Sequence, residues 1–192
     1  MAAALQPAVA AACLDAVLPE GDFWVFGYGS LMWRPGFVYQ EACGARLYGY
    51  HRALCVWSWV HRGSQAAPGL VFGLDAGGSC VGRAFRVAAT ERDAVIGYLH
   101  QREMVTAVYH AVAHRIHLDD RRVVKGLCFL VDRQHPQYAG RLDAETAAAV
   151  VAKASGMSGA NRDYLDSTVE HLEDLGIREP LLLRIRELVQ VF

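Results

Sequence analysis

The chain has 192 residues, of which 53% are hydrophobic and 20% charged, and its 19 Lys and Arg against 20 Asp and Glu leave a formal net charge of −1. This length provides one sizeable hydrophobic core and is short for two. The near-neutral charge argues against a protein whose main task is to bind nucleic acid. No stretch approaches the roughly 18 uninterrupted apolar residues of a membrane span. We therefore expect a globular protein in the cytoplasm, with neither nucleic acid nor membrane as a partner.

The first 20 residues are rich in alanine and hold no Lys or Arg, since the first cationic side chain is that of Arg34. A secretory signal needs a positively charged segment at its start, so these residues are interpreted as a loose helical extension. The chain is accordingly divided into an N-terminal Ala-rich extension over residues 1–20 and a single domain over residues 21–192.

Strand patterns follow the extension. Residues 23–28 are aromatic and β-branched and end in a glycine-flanked turn, which predicts a buried strand that enters a loop. Residues 53–60 predict a second strand, and a polar loop rich in Gly and Pro follows it. Residues 69–74 and 80–87 predict the two arms of a hairpin that turns at residues 76–78.

A helix is predicted over residues 91–104, because Val95 and Leu99 recur there at helical spacing. Thr90 offers an N-cap, and Asp93 three residues later forms a variant of the capping box. A single helix within a run of strands differs from the alternating strands and helices of βαβ units.

The rest of the chain contains two further strands and then only helices. Because strands dominate the first two thirds and helices close the chain, the order predicts an α+β domain with a mostly antiparallel sheet or barrel. Asn161 is predicted to cap the second of the closing helices, and Gly176 to end it. The predicted strands are residues 109–118 and 123–131, and the predicted helices are residues 143–154, 161–175 and 179–191.

Residues that commonly bind metals are scattered. The five cysteines lie far apart with no C-x-x-C pair, so they predict buried, reduced thiols and neither a disulfide framework nor a zinc site. His110, His114 and His117 fall on a strand, where the first two share a face about 13 Å apart. We therefore expect no metal and no cofactor.

The sequence Gly27-Tyr28-Gly29 after the first strand suggests a dinucleotide site, but the third glycine of that motif would fall at Met32. Two interpretations remain open. The glycines form only a tight turn, or bare backbone N–H groups, with the Ser30 hydroxyl behind them, bind an anionic group or a developing oxyanion.

Glu103 stands at the end of the predicted helix, where the helix dipole disfavours a carboxylate. Either it is solvated, with Arg102 as an ordinary surface neighbour, or it lies near the core with a raised pKa and serves as a proton shuttle. The loop that begins at Arg62 has a similar pair of interpretations: an exposed turn, or a segment folded over a ligand whose carboxylate Arg62 binds. Arg34 and Arg52 are comparable candidates for that carboxylate.

Several short motifs occur together in one order along residues 24–175. They are Phe26-Gly27-Tyr28-Gly29-Ser30-Leu31 with Trp33-Arg34-Pro35, Gly49-Tyr50-x-Arg52, His61-Arg62-Gly63 with Pro68-Gly69, Tyr98-Leu99-x-x-Arg102-Glu103, Tyr138-x-Gly140, and Ser158-Gly159-x-Asn161-x-x-Tyr164-Leu165. In this combination the chain resembles the ChaC-type, glutathione-specific γ-glutamylcyclotransferases.

The resemblance implies a small mixed, mostly antiparallel β-barrel with flanking helices, and cleavage of glutathione to 5-oxoproline and cysteinylglycine without a metal or cofactor. It implies Glu103 as the base and then the acid. Where the family usually has Gly-Gly before the tyrosine, this chain has Thr106-Ala107-Val108 before Tyr109. The substrate-binding residues expected on this basis are Gly27, Tyr28, Gly29, Ser30, Leu31, Met32, Arg62 and Tyr109.

Two other functions remain open. One is a cyclotransferase for other γ-glutamyl amino acids or amines, and the other is a non-catalytic regulator of cation transport.

Overall fold

The computed structural model describes Ala16, residues 18–104 and residues 106–192. Most of the predicted N-terminal extension, and Cys13 within it, therefore lies outside the described residues. Five strands close into a barrel in the order β1-β3-β2-β4-β5. The strands are β1 (Phe23–Gly27), β2 (Glu41–Ser58), β3 (Gly69–Val87), β4 (Tyr109–Leu118) and β5 (Val123–Val131).

The barrel pairings are mixed. β1 with β3, β2 with β4, and β4 with β5 are antiparallel, whereas β5 is parallel to both β1 and β3. Together with four helices between residues 92 and 189, this confirms the predicted α+β class and the mostly antiparallel barrel. The helices are α1 (Arg92–Glu103), α2 (Ala144–Lys153), α3 (Asn161–Asp174) and α4 (Pro180–Val189), and a short hairpin is formed by β6 (Ser155–Gly156) and β7 (Gly159–Ala160).

The predicted hairpin at residues 76–78 is wrong, because β3 runs unbroken through this segment. Gly77 and Gly78 have φ of +105° and +69°, and the Gly77 carbonyl oxygen lies 3.0 Å from His51 Nδ1 of β2. Glycines at positive φ can bend a strand as well as reverse it. Here they bend β3, which pairs with β5 at Leu74 and with β1 beyond the bend.

The second strand is longer than its predicted range, since it begins at Glu41. Buried Ala45 and Leu47 alternate in this part with exposed Arg46 and Tyr48, and this half pairs with β4. The period of two is typical of a strand with one solvated face.

Two predicted helix caps are also wrong. Thr90 lies inside a 3₁₀ turn (Ala89–Glu91) that precedes α1, and the Asp22 carboxylate accepts the N–H of Ala89 at 3.0 Å. Asn161 is the first residue of α3, with Ala160 as the cap residue. The Asn161 side chain instead bonds a strand, as described below. The predicted end of α3 at Gly176 is confirmed by its φ of +69°.

The contacts divide the chain into two compact units. The first unit runs up to Arg52 and includes Leu74–Asp132, so it contains β1, α1, β4 and β5. Fully buried large side chains of this unit form its core. They are Phe23, Phe26, Met32, Leu47, Leu74, Phe85, Leu99, Ile116, Leu127 and Phe129.

The second unit consists of Ala53–Gly73 and Arg133–Phe192 and contains α2, α3 and α4. Within this unit the Asn161 amide bonds both backbone groups of Leu70: its Oδ1 accepts the N–H at 2.6 Å, and its Nδ2 donates to the carbonyl at 2.8 Å. Asn161 is fully buried, so these two bonds attach the start of α3 to β3. The side chains that pack the helices are Ala147, Ala148, Val151, Leu165, Val169, Leu172, Leu182, Ile185 and Val189.

The cysteines of the described residues are all free thiols, as predicted. Cys55, Cys80 and Cys128 are buried, and Cys43 is partly buried. Burial raises the pKa of Cys128 to about 12, so this thiol is unreactive at neutral pH. Within the part of the chain that the structure describes, no helix is both long and apolar enough to cross a membrane.

Candidate active site

The loop after β1 is a tight turn. A 3₁₀ turn (Ser30–Met32) follows Gly29, and the Met32 N–H donates to the Gly29 carbonyl at 2.9 Å. A Cβ on Gly27 would lie 3.1–3.2 Å from Leu31 and Met32, so the turn folds back closely on the end of the strand. Tyr28, Leu31 and Met32 are buried, while Gly29 and Ser30 are partly exposed.

Backbone donors are available where this turn begins. The first N–H groups of a helical turn have no partner inside that turn, which leaves those of Ser30 and Leu31 as candidate donors to an anion. The Met32 N–H is used within the turn. If the loop binds an anion through its backbone, the N–H groups that do so therefore belong to the segment from Gly29 to Leu31.

Arg52 of β2 supports this loop. It is only 5% exposed, its Nε donates to the Tyr28 carbonyl, and its Nη2 donates to the Val81 carbonyl at 2.7 Å. The same Nη2 lies 3.8 Å from the Met32 sulfur. Among the arginines considered for a substrate carboxylate, Arg52 is thus a buried support of the loop backbone.

Glu103 is the last residue of α1, and its side chain is 17% exposed. Its carboxylate Oε1 lies 3.2 Å from Arg102 Nε. Burial raises the pKa of the Glu103 carboxyl above its ordinary value, and the Arg102 charge and hydrogen bond oppose this rise. Glu103 is therefore a partly desolvated carboxylate with a cationic neighbour, a combination suited to proton transfer.

Arg102 is the residue whose part in the site the sequence interpretation missed. Its Nη2 donates to Ser30 Oγ at 2.7 Å, and its Nη1 donates to the Arg34 carbonyl at 2.7 Å. One guanidinium thus joins the Glu103 carboxylate to the loop after β1. The signal available in the sequence was its position beside Glu103 in one motif, but its loop partners lie 68 and 72 residues away along the chain.

Tyr109 begins β4, opposite Val131 of β5. The connection from Glu103 to Tyr109 includes Ala107, whose φ of +57° lies in the left-handed region. Alanine adopts this conformation at a cost that glycine does not bear. The departure from Gly-Gly before the tyrosine therefore places a side chain where the backbone favours glycine.

Arg62 belongs to the second unit. Its Nη1 donates to the carbonyls of Ser158 and Ala160 at 2.6 and 3.3 Å, and its guanidinium lies over the Tyr164 ring. Its Nε and Nη2 have no hydrogen-bond partner among the residues that the structure describes. Arg62 thus orders the β6–β7 hairpin and keeps two N–H groups for another acceptor. The Arg34 side chain, in the first unit, is exposed.

The three strand histidines lie on β4, as predicted, and are partly or fully exposed. His114 and His117 make edge-on ring contacts with Tyr50 and Tyr48 of β2. These contacts stabilise the outer face of the strand pair.

One group of potential metal ligands lies elsewhere in the first unit. Glu41, Cys43 and Asp120 place three ligand atoms within 4.8 Å of one another. The Arg122 guanidinium contacts both carboxylates and lowers their pKa values. The group is an ion-pair network in which a cation is already supplied by the chain.

Comparison with known proteins places this geometry in context. A family model described as ChaC-like protein matches residues 23–191. The glutathione-specific γ-glutamylcyclotransferase of Escherichia coli (strain K12) is 36% identical over 174 residues, which cover 88% of this chain and 75% of that protein. The glutathione-specific γ-glutamylcyclotransferase 1 of Homo sapiens is 34% identical, over 76% of this chain and 69% of that protein.

A solved structure supports the fold. The crystal structure of a γ-glutamyl cyclotransferase specific to glutathione from yeast matches with a TM-score of 0.80 at 21% sequence identity. The match covers 89% of this chain and 96% of the yeast chain.

Proposed function

This chain belongs to the ChaC-like protein family, and we propose that it is a glutathione-specific γ-glutamylcyclotransferase that cleaves glutathione to 5-oxoproline and cysteinylglycine. One observation carries the proposal at the level of the site. The partly buried Glu103 carboxylate is held, through Arg102, against the loop after β1, in a chain 36% identical to an enzyme of that name.

The reaction needs no nucleophile from the protein. The α-amino nitrogen of the γ-glutamyl group attacks the γ-carbonyl carbon of the same residue, and the amide bond to cysteinylglycine breaks as the five-membered lactam closes. Because nucleophile and electrophile belong to one molecule, the protein gains rate by folding the substrate into the reactive geometry.

Glu103 moves the proton. Its carboxylate takes a proton from the substrate ammonium so that the nitrogen can attack, and the resulting carboxylic acid returns a proton to the departing amine. A raised pKa suits both steps, because it makes the carboxylate a stronger base while still allowing the acid to donate.

The loop after β1 holds the γ-glutamyl group. We assign Gly27, Tyr28, Gly29, Ser30, Leu31 and Met32 to it, with the exposed part at Gly29 and Ser30. The donors there bind the glutamyl carboxylate or the oxyanion of the attacked carbonyl. Tyr109 positions the substrate or Glu103 through its hydroxyl, and Arg62 is proposed for the distal glycine carboxylate.

We propose a single catalytic domain over residues 21–192 after the Ala-rich extension. We propose a cytoplasmic location, which the free cysteines support, since reduced thiols are typical of that compartment. We propose glutathione as the partner and no nucleic acid, because the charge is nearly balanced.

The first prediction concerns the substrate. Glutathione incubated with the purified protein should yield 5-oxoproline and cysteinylglycine in equal amounts, and γ-glutamyl-alanine should react at least about tenfold more slowly, because it lacks the cysteinylglycine portion. Chromatography of the products, with oxidised glutathione as a third substrate, measures both. Equal rates with γ-glutamyl-alanine would favour the broader cyclotransferase, and a stable stoichiometric complex with intact glutathione would favour the regulator.

The second prediction concerns pH. Since the base is active as the carboxylate, activity is lost as pH falls through the pKa of Glu103. Burial raises that pKa above the ordinary 4.5, so the acid limb of the kcat/KM profile should have its midpoint above 4.5. Initial rates between about pH 4 and pH 9 test this, with circular dichroism at each pH as the control for unfolding. A midpoint at or below 4.5 contradicts Glu103 as a desolvated base.

A further inference from the structure

We propose that Arg102 is a positioning residue for this reaction: it holds the Ser30 hydroxyl so that its proton points toward the γ-glutamyl group, and it fixes the Glu103 carboxylate beside the same loop. The inference rests on the proposed function. It gives a role to Arg102, to which the sequence interpretation assigned none.

The geometry of the guanidinium carries the argument. Three nitrogens of one planar group are committed to different partners. Nε lies 3.2 Å from Glu103 Oε1, and Nη2 donates to Ser30 Oγ at 2.7 Å. Nη1 donates to the Tyr98 hydroxyl at 2.6 Å and to the Arg34 carbonyl at 2.7 Å. Because all three nitrogens have partners, the orientation of the planar guanidinium group is fixed.

The contact with Ser30 has a chemical consequence. A serine hydroxyl has one hydrogen to donate and two lone pairs that accept. Because Arg102 donates to one lone pair, the hydroxyl hydrogen points away from the guanidinium and is available to an acceptor. Donation from a cation also polarises the O–H group. A carboxylate or carbonyl oxygen of the γ-glutamyl group is the acceptor that the proposed reaction brings to this loop.

A second feature keeps the loop against α1. The Tyr98 hydroxyl accepts a hydrogen bond from Arg102. A Cβ added to Gly36 would lie only 2.0 Å from the oxygen of this hydroxyl. Gly36 has φ of +75°, so both the space and the backbone conformation favour glycine there. The segment from Arg34 to Gly36 is therefore closely packed on the face of α1 that presents Arg102.

A lysine at this position cannot reproduce these contacts. Its ammonium is a single point with three donors on a flexible stem, whereas the guanidinium reaches partners on several sides at fixed angles. Arg102→Lys keeps the positive charge beside Glu103 and loses the hydrogen bond that orients Ser30. This substitution therefore separates the positioning role from the charge.

The experiment compares Arg102→Lys, Ser30→Ala and the double variant in the glutathione assay. Arg102→Lys and Ser30→Ala should each raise KM for glutathione about tenfold, with kcat reduced less than about threefold, which is the size expected for loss of one charge-assisted hydrogen bond. The double variant should be no worse than either single one, because both remove the same interaction.

The matched control is Arg92→Lys at the other end of the same helix. Arg92 donates to the carbonyls of Pro19 and Gly21 and lies over the Phe23 ring, so it is an arginine with a comparable packing role away from Glu103. Arg92→Lys should leave KM and kcat unchanged. If Arg102→Lys does not fold, the same double-variant comparison is made with Tyr98→Phe and Ser30→Ala. Tyr98→Phe removes the hydroxyl that accepts a hydrogen bond from Arg102 Nη1.

The results distinguish a failure of the proposed function from a failure of the role proposed for Arg102. Wild-type protein that releases no 5-oxoproline overturns the proposed function and this inference with it. Active wild-type protein with additive effects of the two substitutions overturns the inference alone, because Arg102 then does not act through Ser30. Unchanged KM in Arg102→Lys, or an equal rise in Arg92→Lys, overturns it as well. Coincident KM values in the single and double variants support it.

Discussion

Replacing Glu103 by glutamine is expected to lower kcat for release of 5-oxoproline by about a thousandfold, with KM for glutathione changed little. Glutamine has the shape of glutamate, and its amide oxygen can still accept from Arg102 Nε, so the contact at 3.2 Å is largely kept. What is lost is the ability to take a proton from the substrate ammonium and to return one to the leaving amine. The variant therefore separates proton transfer from binding.

The same substitution should not destabilise the fold. Burial raises the pKa of Glu103, which means that folding favours its protonated form over the carboxylate. This contribution to the free energy of unfolding is fully present at pH below the ordinary pKa and is lost as pH rises through the raised pKa. When Glu103 is ionised, the wild type holds a partly desolvated charge that glutamine lacks, so Glu103→Gln should melt at the same temperature or higher.

A suitable control is Glu91→Gln in the 3₁₀ turn before α1. It makes the same chemical change at the opposite end of α1 from Glu103, and we expect the kcat of this variant to remain within about twofold of the wild type. Retention of near-wild-type kcat by Glu103→Gln would show that another group transfers the proton. A large fall in melting temperature would show instead that the carboxylate has a structural role.

Elements that depend on residues close together in the chain were predicted correctly, and features that depend on distant partners were not. The strand over residues 109–118 is found at those bounds in β4, and the next strand at residues 123–131 in β5, since alternation and apolar runs are local signals. The hairpin at residues 76–78 was wrong because two glycines at positive φ are compatible with a reversal and with a bend. Only the partners of β3 on both sides of the bend distinguish them.

The same distinction between local signals and long-range contacts holds for the site. Glu103 could be singled out because a carboxylate at a helix C-terminus opposes the dipole, which is a local anomaly. The contacts of Arg102 could not be predicted, because its partners on the loop after β1 are brought to it by the fold. Asn161 shows the opposite error: a local rule predicted a helix cap, and the fold uses the side chain to bond Leu70.

Replacing Asn161 by alanine is expected to lower the free energy of unfolding by about 3–5 kcal/mol, the largest effect on stability that we predict. The buried N–H and carbonyl of Leu70 would both lose their partner, at about 1–3 kcal/mol each, and the missing amide would leave a cavity. The amide is closely packed against the strand backbone, since a Cβ on Gly69 would lie 2.7 Å from Asn161 Oδ1.

Denaturation by urea, followed by circular dichroism, measures this loss, and Asp163→Ala is the matched control. Asp163 is in the same first turn of α3 but is exposed, so its loss should cost no more than about 1 kcal/mol. A similar small cost for Asn161→Ala would mean that water replaces the amide at Leu70, which contradicts a dry, doubly bonded contact. A large loss for Asn161→Ala alone identifies this side chain as the attachment of α3 to β3.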